Sequence, residues 1–232
     1  MYIIPGYSMM AATATTFMLS IIFLLLSEQS KKQYMRFWGI SWLVYSAMFL
    51  LDFCHLNWDF IYLGYVMLRQ MLALLGAYTF LLGTHHFFQT KYPASLGFAA
   101  ILSTISMSLY PAISPVYTLM IIPNIIFSSG LLIYSGCMFI AISWTQKLPE
   151  KLIASFLIIL WSIFINHFAF SLKNQQLEIF SYFISIFTVN VLILTLIIIY
   201  FKKLRFIDTK QHNRFRLLVE NSSDSLLCFA AV

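Results

Sequence analysis

The 232 residues of this chain are 61% hydrophobic and only 9% charged, whereas soluble domains carry charges at about a quarter of their positions. This composition excludes an ordinary soluble domain and predicts an integral membrane protein. The formal net charge of +6 does not indicate nucleic-acid binding, because the basic residues form short clusters between apolar runs. Such clusters are typical of contact with anionic lipid headgroups.

Seven apolar runs follow one another along the chain, and each is close to the ~20 residues that a helix needs to cross a bilayer core of roughly 30 Å. Short connections join the runs, so neighbouring helices are expected to pack antiparallel. The predicted fold class is therefore all-α, a polytopic membrane protein with seven transmembrane helices within residues 1–201. The predicted spans are Ile3–Leu26, Phe37–Cys54, Phe60–Gly83, Ala94–Tyr110, Tyr117–Ile142, Leu152–Ser171 and Phe180–Phe201.

The basic residues predict how these helices are oriented. Of the 14 Lys and Arg residues, twelve lie in the odd-numbered loops or after the last span, and only Lys173 lies on the opposite side. The remaining one, Arg69, lies inside the third span. Because cytoplasmic loops carry an excess of Lys and Arg, the N-terminus is predicted outside and the C-terminus in the cytoplasm.

Polar side chains within the spans are candidates for a signal-binding site, since each costs a few kcal/mol on membrane-insertion scales. A rise of about 1.5 Å per residue places most of them in the outer half of the bundle. That distribution suits a cavity open to the outside or to the outer leaflet. The predicted ligand-binding residues are Asp52, Tyr65, Arg69, Asn124, Asn166, His167 and Asn190.

A purely structural role is the alternative for several of these residues. Asp52 and Arg69 can neutralise each other, with Arg69 extending outward along Tyr65. Asn166 and Asn190 suit hydrogen bonds between helices. His167 suits a satisfied interior histidine.

No catalytic or metal-binding set is predicted. The sequence has no paired carboxylates, no Gly-rich phosphate loop and no Ser/His/Asp set at one depth, so no enzyme activity is expected within this segment. His85 and His86 project about 100° apart and do not form one metal or haem site. Cys54, Cys137 and Cys228 lack metal-ligand spacing. We therefore expect no metal and no cofactor.

The residues after the last span predict a helix that carries a signal away from the membrane. Tyr200, Leu204, Ile207 and Leu218 follow a ragged heptad, which predicts a juxtamembrane signalling helix over 202–214 that contributes to a homodimer. An ordinary basic juxtamembrane helix is the alternative. The polar residues 221–224 favour a turn, and an apolar strand is expected after it.

Residues 215–227, FRLLVENSSDSLL, resemble the opening of a PAS domain, in which a helix of the form F-R-x-L-x-E precedes an N-S-x-D turn and the first strand. Leu227 replaces the usual isoleucine, and Ala230 replaces the aspartate that commonly follows the strand. The predicted domains are thus a seven-helix sensor module (1–201), the signalling helix (202–214) and the start of a PAS domain (215–232). This layout is similar to the N-terminal region of bacterial membrane sensors.

The resemblance implies a multi-pass protein of the bacterial plasma (inner) membrane. Its function would be to sense an extracellular or membrane signal and to relay it through the seventh helix to a cytoplasmic PAS domain and a histidine kinase or diguanylate cyclase. The expected partners are membrane lipids, a small-molecule, peptide or lipid signal and a second copy of the chain, with no nucleic acid.

Two other functions are compatible with seven apolar helices. A small transporter or channel needs a polar path through both leaflets, and the inner half offers little besides Gln70, Ser128 and Ser129. A pigment or haem protein is the third alternative, although the seventh span has no lysine for a Schiff base.

Overall fold

The computed structural model describes residues 3–57, 62–92, 117–146, 149–167 and 186–202, with 95, 97–99, 102–103, 105–106, 184 and 205. Within these ranges the chain forms α-helices and no strand, so the predicted all-α class is confirmed. The helices are α1 (Ile3–Ser30), α2 (Gln33–Asn57), α3 (Tyr62–Phe88), α4 (Tyr117–Gln146), α5 (Pro149–His167) and α6 (Ile186–Lys202). The last three overlap the predicted fifth, sixth and seventh spans. Most of the predicted fourth span and residues 206–232, with the PAS-like segment, lie outside the described residues.

Among the residues that the structure describes, three helices are long and apolar enough to cross a membrane. Their apolar segments are Met9–Ser30, Gln33–His55 and Gly64–Phe88, with 22, 23 and 25 residues. At about 1.5 Å per residue each exceeds the roughly 30 Å of a bilayer core. They overlap the first three predicted spans, with boundaries that differ by up to six residues. The composition and the helices together support a membrane protein.

The helices pack in chain order, with α1 against α2, α2 against α3, α3 against α4 and α4 against α5. Only residues 31–32 separate α1 from α2, so these two helices run antiparallel. We call the end of the bundle near residues 52–65 the α2–α3 end. The opposite end, near residues 30–38 and 85–92, is the α1–α2 end.

Aromatic side chains fill the centre of the bundle. Trp42 of α2 lies 5.2 Å from Trp161 of α5 between ring centroids. Tyr45 meets the same indole edge-to-face at 4.6 Å. Such pairs contribute about 0.5–1.5 kcal/mol beyond the area that they bury. Buried α6 residues, including Leu192 and Tyr200, join this core. A dense interior of this kind holds α2, α5 and α6 together.

Small residues let α2 and α3 approach closely, as is common between membrane helices. The hydroxyl of Ser41 donates a 2.8 Å hydrogen bond to the backbone oxygen of Gly76. At Gly83, an added Cβ would lie 2.4 Å from Cδ1 of Trp38. A side chain at position 83 therefore competes with the indole for the same space.

The C-terminus of α3 is closed by a Schellman motif. Gln89 has a φ of 57°, which places it in the left-handed region that L-residues adopt at a cost. Its N–H donates to the oxygen of His86 over 3.4 Å, and the N–H of Thr90 donates to the oxygen of His85 over 3.1 Å. These two bonds satisfy carbonyls that the helix end leaves open.

Replacing Gln89 with glycine is expected to raise the free energy of unfolding by up to about 1 kcal/mol, because glycine adopts the left-handed conformation without steric cost. Gln89→Val is expected to lower it, since a branched side chain fits this region poorly. Denaturant titration of the purified chain in micelles measures both changes. A glycine variant that is less stable than the valine variant would contradict the assignment.

Candidate functional site

A buried ion pair joins α2 to α3 at the α2–α3 end. Asp52 of α2 has only 1% of its side chain exposed, and Nε of Arg69 lies 2.9 Å from its Oδ1 atom. The hydroxyl of Tyr65 donates to the same oxygen, also over 2.9 Å. Tyr65 and Arg69 are four residues apart, so they occupy one face of α3. Three of the predicted ligand-binding residues are thus in direct contact.

The two oxygens of this carboxylate have different surroundings. Oδ1 accepts both hydrogen bonds. Oδ2 is buried as well, and no donor reaches it from the residues that the structure describes. A buried acceptor without a donor costs about 1–3 kcal/mol, and more when it is charged. Oδ1 is therefore fully hydrogen-bonded, whereas Oδ2 lacks a hydrogen-bond donor among the described residues.

His55 belongs to the same cluster, although it lies one residue beyond the predicted end of the second span at Cys54. Its ring stacks on Tyr65 with centroids 3.8 Å apart and planes at 12°. It lies here because α2 continues to Asn57, three residues beyond the predicted end of the span. The spacing of three residues from Asp52 is the sequence signal that identifies it.

Of the other predicted ligand-binding residues, Asn190 is the one whose side chain lies in the described part of the structure. Asn124 lies on α4, and Asn166 and His167 lie on α5, but their side chains are outside the described part. Asn190 of α6 is exposed, and its Nδ2 donates to the backbone oxygen of Ile186 over 2.9 Å. That bond lies within α6 and connects no second helix.

The α1–α2 end holds a second set of charges, beside the end of α6. Lys202, near the end of α6, donates a hydrogen bond to Glu150 in the first turn of α5. This bond holds the pKa of Glu150 below its usual value. The neighbouring Lys151 is buried, with its ammonium 5.7 Å from the centroid of the Phe88 ring. Burial lowers the pKa of Lys151. The ends of α5 and α6 are thus joined by charge as well as by packing.

Of the predicted relay residues, the structure describes Tyr200. Its side chain is buried in the core. Leu204, Ile207 and Leu218 lie outside the described residues.

His85 forms a polar contact that the sequence analysis did not predict. Its Nδ1 lies 2.8 Å from the hydroxyl oxygen of Thr90, and its ring meets Tyr92 edge-to-face at 5.2 Å. Burial, together with the neighbouring Tyr78 hydroxyl, raises the pKa of Tyr92. His86 is exposed and stacks on Phe37, so the two adjacent histidines point apart as expected. The contacts of these two histidines stabilise the C-terminus of α3, so their role is structural.

A small crevice opens between α1, α2 and α6. Its lining includes Ala12, Thr16, Phe49 and Val189. The hydroxyl of Thr16 already donates to the backbone oxygen of Ala12 over 2.7 Å. The crevice is therefore apolar and has little capacity for specific recognition.

Metal ligation has no support in the part of the chain that the structure describes, where no group of three or more His, Cys, Asp or Glu side chains is suitably placed.

No protein-family model matches the chain, and comparisons with curated proteins and with solved structures likewise find no match. Function is therefore inferred from the geometry of the chain itself, in which the Asp52–Tyr65–Arg69 cluster is the strongest candidate site.

Proposed function

We propose that this chain is the membrane-embedded input module of a bacterial signal-transduction protein of the two-component sensor type. In this proposal seven helices span the plasma membrane with the N-terminus outside, as the distribution of Lys and Arg favours. A signal acts at the Asp52–Tyr65–Arg69 cluster, in the outer half of the membrane. The response leaves through α6 toward a cytoplasmic PAS domain and a kinase or cyclase output, which the PAS-like residues 215–227 support.

The buried Asp52–Arg69 pair is the observation that carries this proposal. Burying two charges costs several kcal/mol per ion, and their attraction rarely yields a net gain in stability over apolar residues of similar volume. Ionisable groups at membrane depth therefore more often mark functional sites than structural ones. The pair also lies between two helices, where a small change in its geometry shifts α2 relative to α3.

A route from this pair to α6 exists in the described contacts. Helix α2 carries Asp52 at one end and Trp38 and Tyr34 near the other, and Tyr34 belongs to the same buried core as Tyr200 of α6. Trp38 also packs 6.5 Å from Phe139 of α4 between ring centroids. A ligand that has different affinities for two positions of α2 relative to its neighbours would shift the balance between those positions. The end of α6 would then move with α2.

Inserting residues after Phe201 in the full-length protein tests the relay. Each inserted residue turns a continuous helix by about 100°, so two residues are expected to reverse or abolish the response, and four, close to one full turn, to restore it. The measurement is signal-dependent autophosphorylation or cyclic dinucleotide synthesis in membranes.

The matched control is Gly130→Ala on α4, where an added Cβ meets no atom within 4 Å, and it is expected to leave output unchanged. Output that ignores the number of inserted residues would contradict coupling through a continuous helix. Solute flux in proteoliposomes would instead favour a transporter or channel.

A further inference from the structure

We infer that the Asp52 cluster binds an uncharged hydrogen-bond donor, a hydroxyl or amide N–H carried by an amphiphilic molecule, at the carboxylate oxygen Oδ2. This inference rests on the proposed function, because it names the chemical class of the signal for the same residues. It starts from the unequal hydrogen bonding of the two carboxylate oxygens.

An ionised carboxylate offers about four lone-pair sites and no donor. Those of Oδ1 are taken by the Tyr65 hydroxyl and by Nε of Arg69. Oδ2 is buried with no donor among the described residues, on a side chain that is 1% exposed. The group that completes the site must therefore donate a hydrogen bond, because the free position is an acceptor.

The charge of the site argues that this donor is neutral. Asp52 and Arg69 are in contact, so their opposite charges already offset each other. A cationic ligand would lose its hydration and meet a carboxylate whose charge is already balanced, which is costly in a poorly solvated place. A hydroxyl or an amide N–H satisfies Oδ2 without adding charge.

The surface beside the carboxylate suits a molecule with an apolar body. The rings of His55 and Tyr65 stack face to face next to Asp52. Their faces and the apolar spans around them favour a ligand that partitions into the membrane, with its donor directed at Oδ2. A lipid with a free hydroxyl and a small amphiphilic alcohol share this chemistry.

The test uses three probes with the same eight-carbon chain: 1-octanol, methyl octyl ether and octylammonium. Infrared difference spectra are recorded on the chain in lipid nanodiscs as each probe is added. Octanol is expected to shift the Asp52 carboxylate band and to bind about tenfold or more tighter than the ether, after correction for partitioning into lipid, because only octanol donates a hydrogen bond to the charged oxygen. Octylammonium is expected to bind no better than the ether.

Asp52→Asn assigns the band among the four aspartates of the chain. It also places an amide nitrogen where Oδ2 stood, so the preference for octanol over the ether is expected to fall to about one. Gly130→Ala on α4, where an added Cβ meets no atom within 4 Å, is expected to keep the preference. If the asparagine variant does not fold, the comparison of the three probes on the unchanged chain still tests the inference.

An Asp52 band that does not respond to octanol overturns the inference, including the case in which a fixed water already occupies Oδ2. Tighter binding of octylammonium overturns the charge argument and the inference with it. Lipid vesicles that contain a hydroxyl-bearing lipid separate a lipid source from a soluble one, since only the lipid source shifts the band without added alcohol. The insertion experiment on α6 is independent of these measurements, so a failed relay and a failed ligand class give different results.

Discussion

Replacing Arg69 with methionine is expected to lower the free energy of unfolding by about 3–5 kcal/mol, which makes it the most damaging substitution that the structure identifies. The change leaves the Asp52 carboxylate buried, with Tyr65 as its remaining donor among the described residues. Methionine matches the length and apolar character of the arginine stem, so the effect reports the lost charge and hydrogen bond and not a cavity.

Asp52→Leu is expected to cost less than Arg69→Met. The side chain of Arg69 is 15% exposed whereas that of Asp52 is 1% exposed, so an arginine left without Asp52 can extend toward the headgroups. The double variant Asp52→Leu/Arg69→Met is expected to recover most of the stability, since well-packed apolar residues replace buried ion pairs at little or no cost.

Unfolding in mixed micelles or by steric trapping in bicelles measures these differences. Tyr65→Phe is the control, with a loss of about 1 kcal/mol for one hydrogen bond. Losses that simply add in the double variant would mean that Asp52 and Arg69 do not interact energetically, contrary to their 2.9 Å contact.

Gly83→Ala is expected to lower the free energy of unfolding by about 1–3 kcal/mol through overpacking. The new Cβ would lie 2.4 Å from Cδ1 and 2.7 Å from Nε1 of Trp38. The indole cannot move aside easily, because it packs 6.1 Å from Phe80 and 5.5 Å from Tyr34 between ring centroids. The clash can therefore be relieved only if α2 and α3 move apart.

Gly130→Ala is the matched control for this substitution. Both glycines are helical, but an added Cβ at position 130 meets nothing within 4 Å. Without a clash, the better helix propensity of alanine is expected to leave stability unchanged or to raise it by up to about 1 kcal/mol. Thermal unfolding of the two variants in the same detergent compares them. A Gly83→Ala protein as stable as Gly130→Ala would show that the helices are looser than the contact distances indicate.

The contact of Asp52, Tyr65 and Arg69 was largely predictable from the sequence. Few residues separate α2 from α3 in the sequence, so residues close to that connection are expected at similar heights along the two helices. Tyr65 and Arg69 share a face through their four-residue spacing. What the sequence did not predict was the unequal bonding of the two carboxylate oxygens, because that depends on side-chain torsions rather than on position along the helix.

His55 shows why the site was predicted incompletely. Hydropathy ends a span where polar residues begin, but backbone hydrogen bonds continue the helix into the headgroup region. The predicted span stopped at Cys54, whereas α2 ends at Asn57. A histidine on the helix face was therefore assigned to a loop.

The buried face of α6 could not be identified by hydropathy. Asn190 was predicted as a ligand-binding residue within the seventh span, but its position along the helix does not determine the direction in which its side chain points. Its exposed neighbours recur every three or four residues, at Phe187, Leu194 and Ile198. Lipid-facing and core-facing residues are both apolar in this helix, so no amphipathic pattern separates them.

The ion pair between Glu150 and Lys202 holds the C-terminal end of α6 by a weaker interaction than the packing that holds the rest of the helix. The apolar part of α6 is fixed by core residues such as Leu196 and Ile199. Its tip is held by an ion pair in which the lysine side chain is 58% exposed. Exposed pairs of this type contribute under about 1 kcal/mol and weaken as salt increases. Most of α6 is thus held firmly by packing, whereas its C-terminal end is held only by a weak ion pair. Thermal energy and the ionic strength of the surrounding water can therefore release that end.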